Sequence, residues 1–459
     1  MTNKSSTVSI IDSTLREGLQ APNVHLSTNQ SMSIAQHIKI MGADMLEIGH
    51  PGVSKESLEN VKAIVKSANM SCLAHSRANK KDVLAAKESG AGWVGIFIGI
   101  NEESIKHRLK KTKNEILLMI TESIRYAKIL GLKVRFTVED ASRTDIYDLI
   151  DIYRTAISVG ADRICYADTV GLLEPNQVKE VALVLRKHFE HIDIEGHFHN
   201  DRGLALANSL IAVDNGFNWI SSSINGLGER CGITDTILLM ANLDYRKSRN
   251  YKNELLNATQ VSSVVSSFTR GFINLSYPIV GQNAFTHTAK LHINAVKENI
   301  NTYSWQDPSR FDRKIKISKK IKRNSINDMI TIPKEISAEE LKYHKAGFGK
   351  RYVLIDERYV DDCRQYCIVR HIENANSPSP HVESHTHKCD SLFIFLGYGH
   401  NLSGLKVIVT LGKDEVEIES PASLFIPAGI EHTYRIVSGT GYYINHVLWG
   451  EYNDSLLEY

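Results

Sequence analysis

The sequence predicts an α/β protein: a (β/α)8 barrel with a small helical appendage, followed by a separate all-β domain. Three observations carry this. Short apolar strands alternate with amphipathic helical stretches from Val8 to Ile224. Charged side chains recur just past the ends of those strands, where barrels of this class keep their chemistry. From Lys342 onward the pattern changes to short strands split by Gly, Pro, Asn and Ser.

The strand candidates are Val8–Asp12, Met45–Gly49, Met70–Ala74, Trp93–Gly99, Leu132–Val138, Arg163–Ala167, Ile192–Phe198 and Asn218–Ile224. Helical stretches such as Lys113–Leu130 and Ile146–Val159 lie between them. Past the first strand stand Arg16, Glu17 and Gln20, the second gives Glu47, and past the third stand His75 and Arg77. Arg135, Thr137 and Glu139 alternate on the fifth, so they share one face. The sixth offers Asp168 and Thr169, the seventh His197 and His199, and the eighth Asn225. Charged groups at so many strand ends are hard to explain as stability, because their burial is unfavourable unless they hold a ligand or metal.

The chain has 459 residues, enough for more than one domain. Boundaries are expected at 1–270 for the barrel, 271–325 for a helical lid and basic linker, and 326–459 for the β domain. A formal charge of +2 gives no global bias toward nucleic acid or membrane surfaces. The basic run from Arg310 to Arg323 reads as a solvated linker or helix face. The six cysteines include no Cys-x-x-Cys pair and read as free thiols of a reducing compartment. With no apolar signal core or membrane-length stretch, a soluble cytoplasmic protein is expected.

The stretch from His191 to Asp201 is central. Ile192 and Ile194 alternate as in a strand, so His197 and His199 project together at its C-terminal tip. With Glu17 they offer one oxygen and two nitrogen ligands to a divalent ion (Mg, Mn or Zn), and Asn225 is a weaker fourth. Open positions would remain for a 2-oxo acid, chelating through its carboxylate and keto oxygens. Arg16 would sit beside the oxygen that gains charge on attack.

These residues resemble a known family. Asp12-Ser13-Thr14-Leu15-Arg16-Glu17-Gly18-Leu19-Gln20 is similar to the first-strand signature of the DRE-TIM metallolyase superfamily. Phe136 to Arg143, Ala167 to Gly171, Gly196 to Asp201 and Gly228-Glu229-Arg230 resemble its later motifs. Within that group the chain looks most like homocitrate and isopropylmalate synthases, over about residues 8–310. The resemblance implies a TIM barrel and a Claisen condensation, in which an acyl-CoA, usually acetyl-CoA, adds to a metal-bound 2-oxo acid before thioester hydrolysis. It implies Glu17, His197 and His199 as metal ligands, Arg16 at the keto oxygen, and Gln20 and Thr169 on the oxo acid. His292, in Pro278 to His292, aligns with a histidine implicated in acetyl-CoA deprotonation, on a subdomain that reaches over the partner of a homodimer.

His75 and Arg135 match positions that homocitrate synthases use around the distal carboxylate of 2-oxoglutarate, which favours an acceptor with an acidic side chain. The expected catalytic set on this resemblance is Arg16, Glu139 and His292. The expected substrate set is Gln20, Glu47, His75, Arg77, Arg135, Thr137 and Thr169. The chain also departs from the family. Gly95 replaces an Asp of homocitrate synthases, Ser104 stands where many isopropylmalate synthases have His, and Lys290 replaces a Gly. An aldol-type lyase on the same metal and a metabolite-binding regulatory protein are the alternative readings.

The C-terminal strands are expected at Tyr352–Tyr359, Tyr366–His371, Ser391–Gly397, Lys406–Leu411, Glu415–Glu419, Ala422–Ile426, His432–Val437 and Gly441–Leu448. His385-Thr386-His387-Lys388-Cys389-Asp390 and Pro427-Ala428-Gly429-Ile430-Glu431-His432 resemble the two cupin motifs. That resemblance implies a double-stranded β-helix with His385, His387 and His432 around a second metal (Fe, Zn, Ni or Mn). Ser391 stands where the usual Glu ligand belongs, with Asp390 or His446 as substitutes.

Overall fold

The computed structural model describes residues 8–271, 273–318, 330–347, 349–360, 363–375 and 382–457. The basic run therefore lies partly outside the described residues. The chain forms two compact units, one from residues up to 265 with 273–317, the other from 266–271 with 318 onward.

In the first unit eight parallel strands close into a barrel. They are β1 (Ser9–Asp12), β2 (Met45–Ile48), β3 (Cys72–Arg77), β4 (Trp93–Gly99), β5 (Lys133–Glu139), β6 (Arg163–Asp168), β7 (Asp193–Phe198) and β8 (Trp219–Ser222). Each pairs with the next, and β8 closes on β1 in the register Ser9↔Trp219 to Asp12↔Ser222. The helices between and after them are α1 (Thr28–Ile40), α2 (Lys55–Ala68), α3 (Lys80–Glu88), α4 (Lys113–Ile129), α5 (Ile146–Ser158), α6 (Pro175–His188), α7 (Ala205–Asp214) and α8 (Thr236–Tyr245).

Local chemistry sets these boundaries. Ser54 caps α2 by accepting from the Ser57 amide, and Val61, Ile64 and Ala68 form its buried stripe. Thr112 and Glu115 close a capping box on α4. The third strand starts later than predicted. Asn69 ends α2 with a left-handed φ of 46°, so pairing begins at Cys72, and His75 and Arg77 lie within β3 instead of beyond it.

After α9 (Ala258–Thr269) the first unit holds little regular structure. The short strand β9 (Thr286–His287) pairs in parallel with β10 (Lys316–Ile317), and α10 (Lys290–Glu298) lies between them. Among the described residues the expected helical lid is thus a single short α-helix with 3-10 turns. No helix among the described residues is long and apolar enough to cross a membrane.

The second unit is antiparallel. Its strands are β11 (Lys334–Ile336), β12 (Arg351–Ile355), β13 (Tyr366–Ala375), β14 (Ser391–Gly397), β15 (Leu405–Leu411), β16 (Asp414–Glu419), β17 (Ala422–Ile426) and β18 (His432–Val447). They run in the order β11-β12-β13-β18-β14-β17, while β15 pairs with both β16 and β18. Burial alternates along β13, β14 and most of β18, so one face of each strand forms the interior. Phe393, Phe395, Tyr434 and Tyr443 fill one part of it, and Val353, Tyr366, Ile368 and Tyr452 another.

One strand prediction is corrected here. The segments His432–Val437 and Gly441–Leu448 are one continuous strand, not two. Its first half pairs with β15 and its second with β13 and β14. Gly439 permits this, because it takes φ 106° and a Cβ there would lie 2.0 Å from the Gly404 oxygen. The strand bends from one partner to the next without a break.

Candidate metal centre at the barrel mouth

Glu17 follows β1, His197 lies near the end of β7 and His199 just past it, so two strand ends on either side of β8 supply three buried donors. One ligand atom from each lies within 4.8 Å of the others. The two Nε2 atoms are 3.3 Å apart, and they stand 3.8 Å and 4.0 Å from the Glu17 carboxylate oxygens. His197 Nδ1 is 2.9 Å from Ser221 Oγ, which orients the ring and leaves Nε2 directed at the cluster.

Electrostatics favour neutral imidazoles and an ionised carboxylate in this cluster. Burial, then the Arg16 charge, holds the His197 imidazole well below its ordinary range, and burial lowers His199 as well. Burial works against the Glu17 carboxylate, yet the Arg16 guanidinium and the two imidazoles bring it down to about 2. Two neutral imidazoles and one carboxylate are a donor set that fits a divalent ion.

Behind this cluster a line of alternating charges runs through the barrel. Arg16 contacts Glu17 and also donates from Nε to Glu47 at 2.9 Å. Glu47 accepts from Arg135 at 2.7 Å, Arg135 donates to Glu195 at 2.9 Å, and Glu195 accepts from Arg163 at 3.1 Å. Arg163 lies between two indoles, 4.7 Å from Trp93 and 3.4 Å from Trp219. All of these except Arg16 are essentially excluded from solvent, so each charge depends on its neighbours. Ser13 also donates to Glu47, and His75 Nδ1 lies 3.1 Å from it. The His75 ring stacks on Phe97 at 4.4 Å, and burial with the Arg16 charge lowers it to about 4.

The structure thus brings Arg16, Glu17, Glu47, His75, Arg135, His197 and His199 into one connected group. Gly95 explains itself there: a Cβ would lie 2.7 Å from Arg135 Nη2 and 2.7 Å from Leu73 Cδ2. Other expected residues are engaged elsewhere. Arg77 is turned to Asp82, with Nε 2.6 Å from its carboxylate. The Asn225 amide bonds Ser262 with both its nitrogen and its oxygen. Thr169 Oγ1 accepts the Asp140 amide at 2.8 Å, and Glu139 pairs with Arg108 at 2.5 Å. Thr137 is buried and Gln20 is exposed. His292 lies on α10 with its ring stacked on Tyr303 at 3.9 Å.

Sequence reasoning passed over Glu195, Arg163, Ser13 and Ser221. The signal for Glu195 was present, since it stands two residues before His197 and shares its face of the strand.

The second unit holds its own triad. His385, His387 and His432 are buried and offer ligand atoms within 4.8 Å of one another. Each Nδ1 is engaged, by Glu383 O at 2.8 Å, Ser455 Oγ at 2.6 Å and Ile430 O at 2.8 Å respectively. Neither expected substitute for the missing carboxylate joins them. Asp390 accepts the Ala428 amide, and His446 is directed at Gln365. The Tyr452 hydroxyl, 2.9 Å from His385 Nε2 and 2.8 Å from His344 Nε2, adds a polar group at this triad.

Barrel and site together define a (β/α)8 protein with a candidate metal centre at its mouth. Residues 7–265 match the model of the HMGL-like family, and the chain belongs to that family. Homocitrate synthases of Saccharolobus solfataricus and Saccharolobus islandicus are 39% identical to it over 311 residues, 67% of this chain and 67% of each relative. That of Sulfurisphaera tokodaii matches equally well. These relatives make the chain an acyltransferase-type enzyme. Among solved structures, the HMG-CoA lyase of Brucella melitensis shares the fold with TM-score 0.52 at 19% identity, covering 58% of this chain and 99% of its own. That of Bacillus subtilis aligns with TM-score 0.51 at 22% identity, covering 57% and 94%.

Proposed function

We propose that the barrel condenses acetyl-CoA with a 2-oxo acid that carries an acidic side chain, giving a homocitrate-like 2-hydroxy acid and free CoA. The observation that carries this reading is the cluster of buried Glu17, His197 and His199 with the half-buried Arg16 beside them at the barrel mouth. Glu17, His197 and His199 would hold the divalent ion, which when bound supplies Lewis-acid polarisation of the keto group. Arg16 sits against Glu17 and provides a guanidinium for the oxygen that becomes negative as the new carbon–carbon bond forms. His292 takes a proton from the acyl methyl carbon, and water then cleaves the thioester of the adduct. On this reading the protein is a homodimer in which α10, carrying His292, completes the site of the other protomer; within its own chain the His292 ring stacks on Tyr303.

Charge supports an acidic acceptor. Arg16, Arg135 and Arg163 are matched by Glu17, Glu47 and Glu195. The divalent ion then adds two positive charges that a 2-oxo dicarboxylate neutralises and a 2-oxo monocarboxylate only halves. The β domain, on this reading, is a cupin whose His385, His387 and His432 hold a second metal.

The test is thiol release from acetyl-CoA by metal-replete protein with 2-oxoglutarate, oxaloacetate, phosphonopyruvate, pyruvate and 2-oxoisovalerate. Release with an acidic acceptor, abolished by His197→Ala, is expected. A preference for 2-oxoisovalerate would overturn the acceptor assignment. Silence across the panel would overturn the condensation.

A further inference from the structure

The interior of the β domain carries more charge than a histidine triad requires. Arg351 on β12 and Arg370 on β13 are directly opposed across an antiparallel pair, and both are buried. Arg351 shares its strand face with Val353, and Arg370 shares its face with Tyr366, Ile368 and Ile372. Those apolar neighbours belong to the two inner clusters, so both guanidiniums enter the interior. Arg370 is hydrogen-bonded to the Tyr434 phenol. Arg351 donates to the Lys345 carbonyl at 2.8 Å, and its electrostatic neighbours are Arg370 and the phenols of Tyr434, Tyr366 and Tyr443.

Ring contacts connect this pair to the histidines. Tyr434 lies 5.7 Å from Phe393, and Phe393 lies 5.5 Å from His432. On the other side Tyr366 lies 5.4 Å from Tyr452, whose hydroxyl is on His385. A second observation points to a ligand in the same interior. Tyr366 Oη, Ser391 Oγ, Asn445 Oδ1, His387 Nε2 and His432 Nε2 are buried polar atoms without a hydrogen-bond partner. They occupy inward positions of β13, β14, β18 and the segment before β14. Two guanidiniums side by side in an interior that also holds unsatisfied polar atoms suit an anion. Paired guanidiniums match the planar, two-oxygen geometry of a carboxylate.

We propose that this interior is a second small-molecule site, which takes a dicarboxylic acid with one carboxylate on Arg351 and Arg370 and its other end toward His385, His387 and His432. A 2-oxo or 2-hydroxy dicarboxylate suits both ends, because its oxo or hydroxy acid end can chelate an ion held by the histidines. The assignment rests on residues of this unit alone and is independent of the barrel reaction.

The test uses the full chain carrying His197→Ala, which disables the barrel metal site, loaded with Mn(II). Binding of 2-oxoglutarate, succinate and inorganic phosphate is measured by calorimetry, with metal content measured in parallel. One 2-oxoglutarate per chain is expected. Its affinity should fall about tenfold or more in Arg351→Met and in Arg370→Met, with Mn(II) content unchanged. Tyr366→Phe, which removes one hydroxyl, should weaken binding several-fold and decides the matter if the arginine variants fail to fold. No binding in the His197→Ala chain would overturn the proposal, as would affinity unchanged by the arginine and tyrosine substitutions. Phosphate binding tighter than either carboxylate would overturn the ligand class.

Discussion

Replacing Glu47 with Gln should damage stability and turnover while sparing the metal site. Glu47 is fully buried and accepts from Arg16 at 2.9 Å, Arg135 at 2.7 Å and Ser13, with His75 at 3.1 Å. Burial opposes its ionisation, but Arg135 and then Arg16 hold its carboxyl well below the usual range, so it is charged in the folded protein. Gln keeps the volume and removes the charge. Among the described residues Arg135 then keeps Glu195 as its carboxylate partner, and Arg16 keeps Glu17. Removing one partner of a buried ion pair costs about 3–5 kcal/mol. At about 2–4 °C per kcal/mol for a unit of this size, the barrel transition in calorimetry should drop by about 6–20 °C. Arg16 loses its rear anchor, so kcat should fall by at least about tenfold. Barrel metal content should stay at the wild-type level, because Glu17, His197 and His199 are untouched. A transition within about 2 °C of wild type, or loss of metal, would refute the idea that Glu47 links the two arginines.

Gly95→Ala should shift the Arg135 guanidinium and lower the barrel transition by several degrees, since its Cβ would lie 2.7 Å from both Arg135 and Leu73; an unchanged transition counts against this packing. Burial raises Asp12 and Asp235 to about 6 from an unfolded value of about 3.9. The native state then holds more protons between about pH 4 and 6, so each carboxyl lowers stability as pH rises through that window, by up to about 3 kcal/mol. Urea unfolding of Asp235→Asn should therefore gain on the wild type from pH 4.5 to 7, and a pH-independent difference would exclude this. His432→Ala should remove any metal bound by the β domain and leave the barrel metal in place; elemental analysis that finds both lost would show the two sites to be coupled.

Much of the barrel was legible because a strand's period of two and a helix's buried stripe are local properties. All eight strand candidates appear, and His197 and His199 share the face that their spacing required. The sequence alone also paired Arg16 and Glu17 with that histidine pair, through motif order. Boundaries were less legible where one residue's conformation decides them. Asn69 delays the third strand, and Gly439 lets one strand serve three partners.

What only the tertiary structure decided is which charges meet. Glu47, Arg135, Glu195 and Arg163 come from β2, β5, β7 and β6, and closure of the barrel places them in one line. Arg77 reads from sequence like a ligand residue, yet it turns to Asp82 five positions on. The same holds for Arg351 and Arg370, ordinary strand residues until antiparallel pairing sets them side by side in the interior. Spacing along a chain fixes which face a side chain takes, whereas the partner of a buried charge depends on strands far apart in sequence, where desolvation makes each unmatched charge unfavourable.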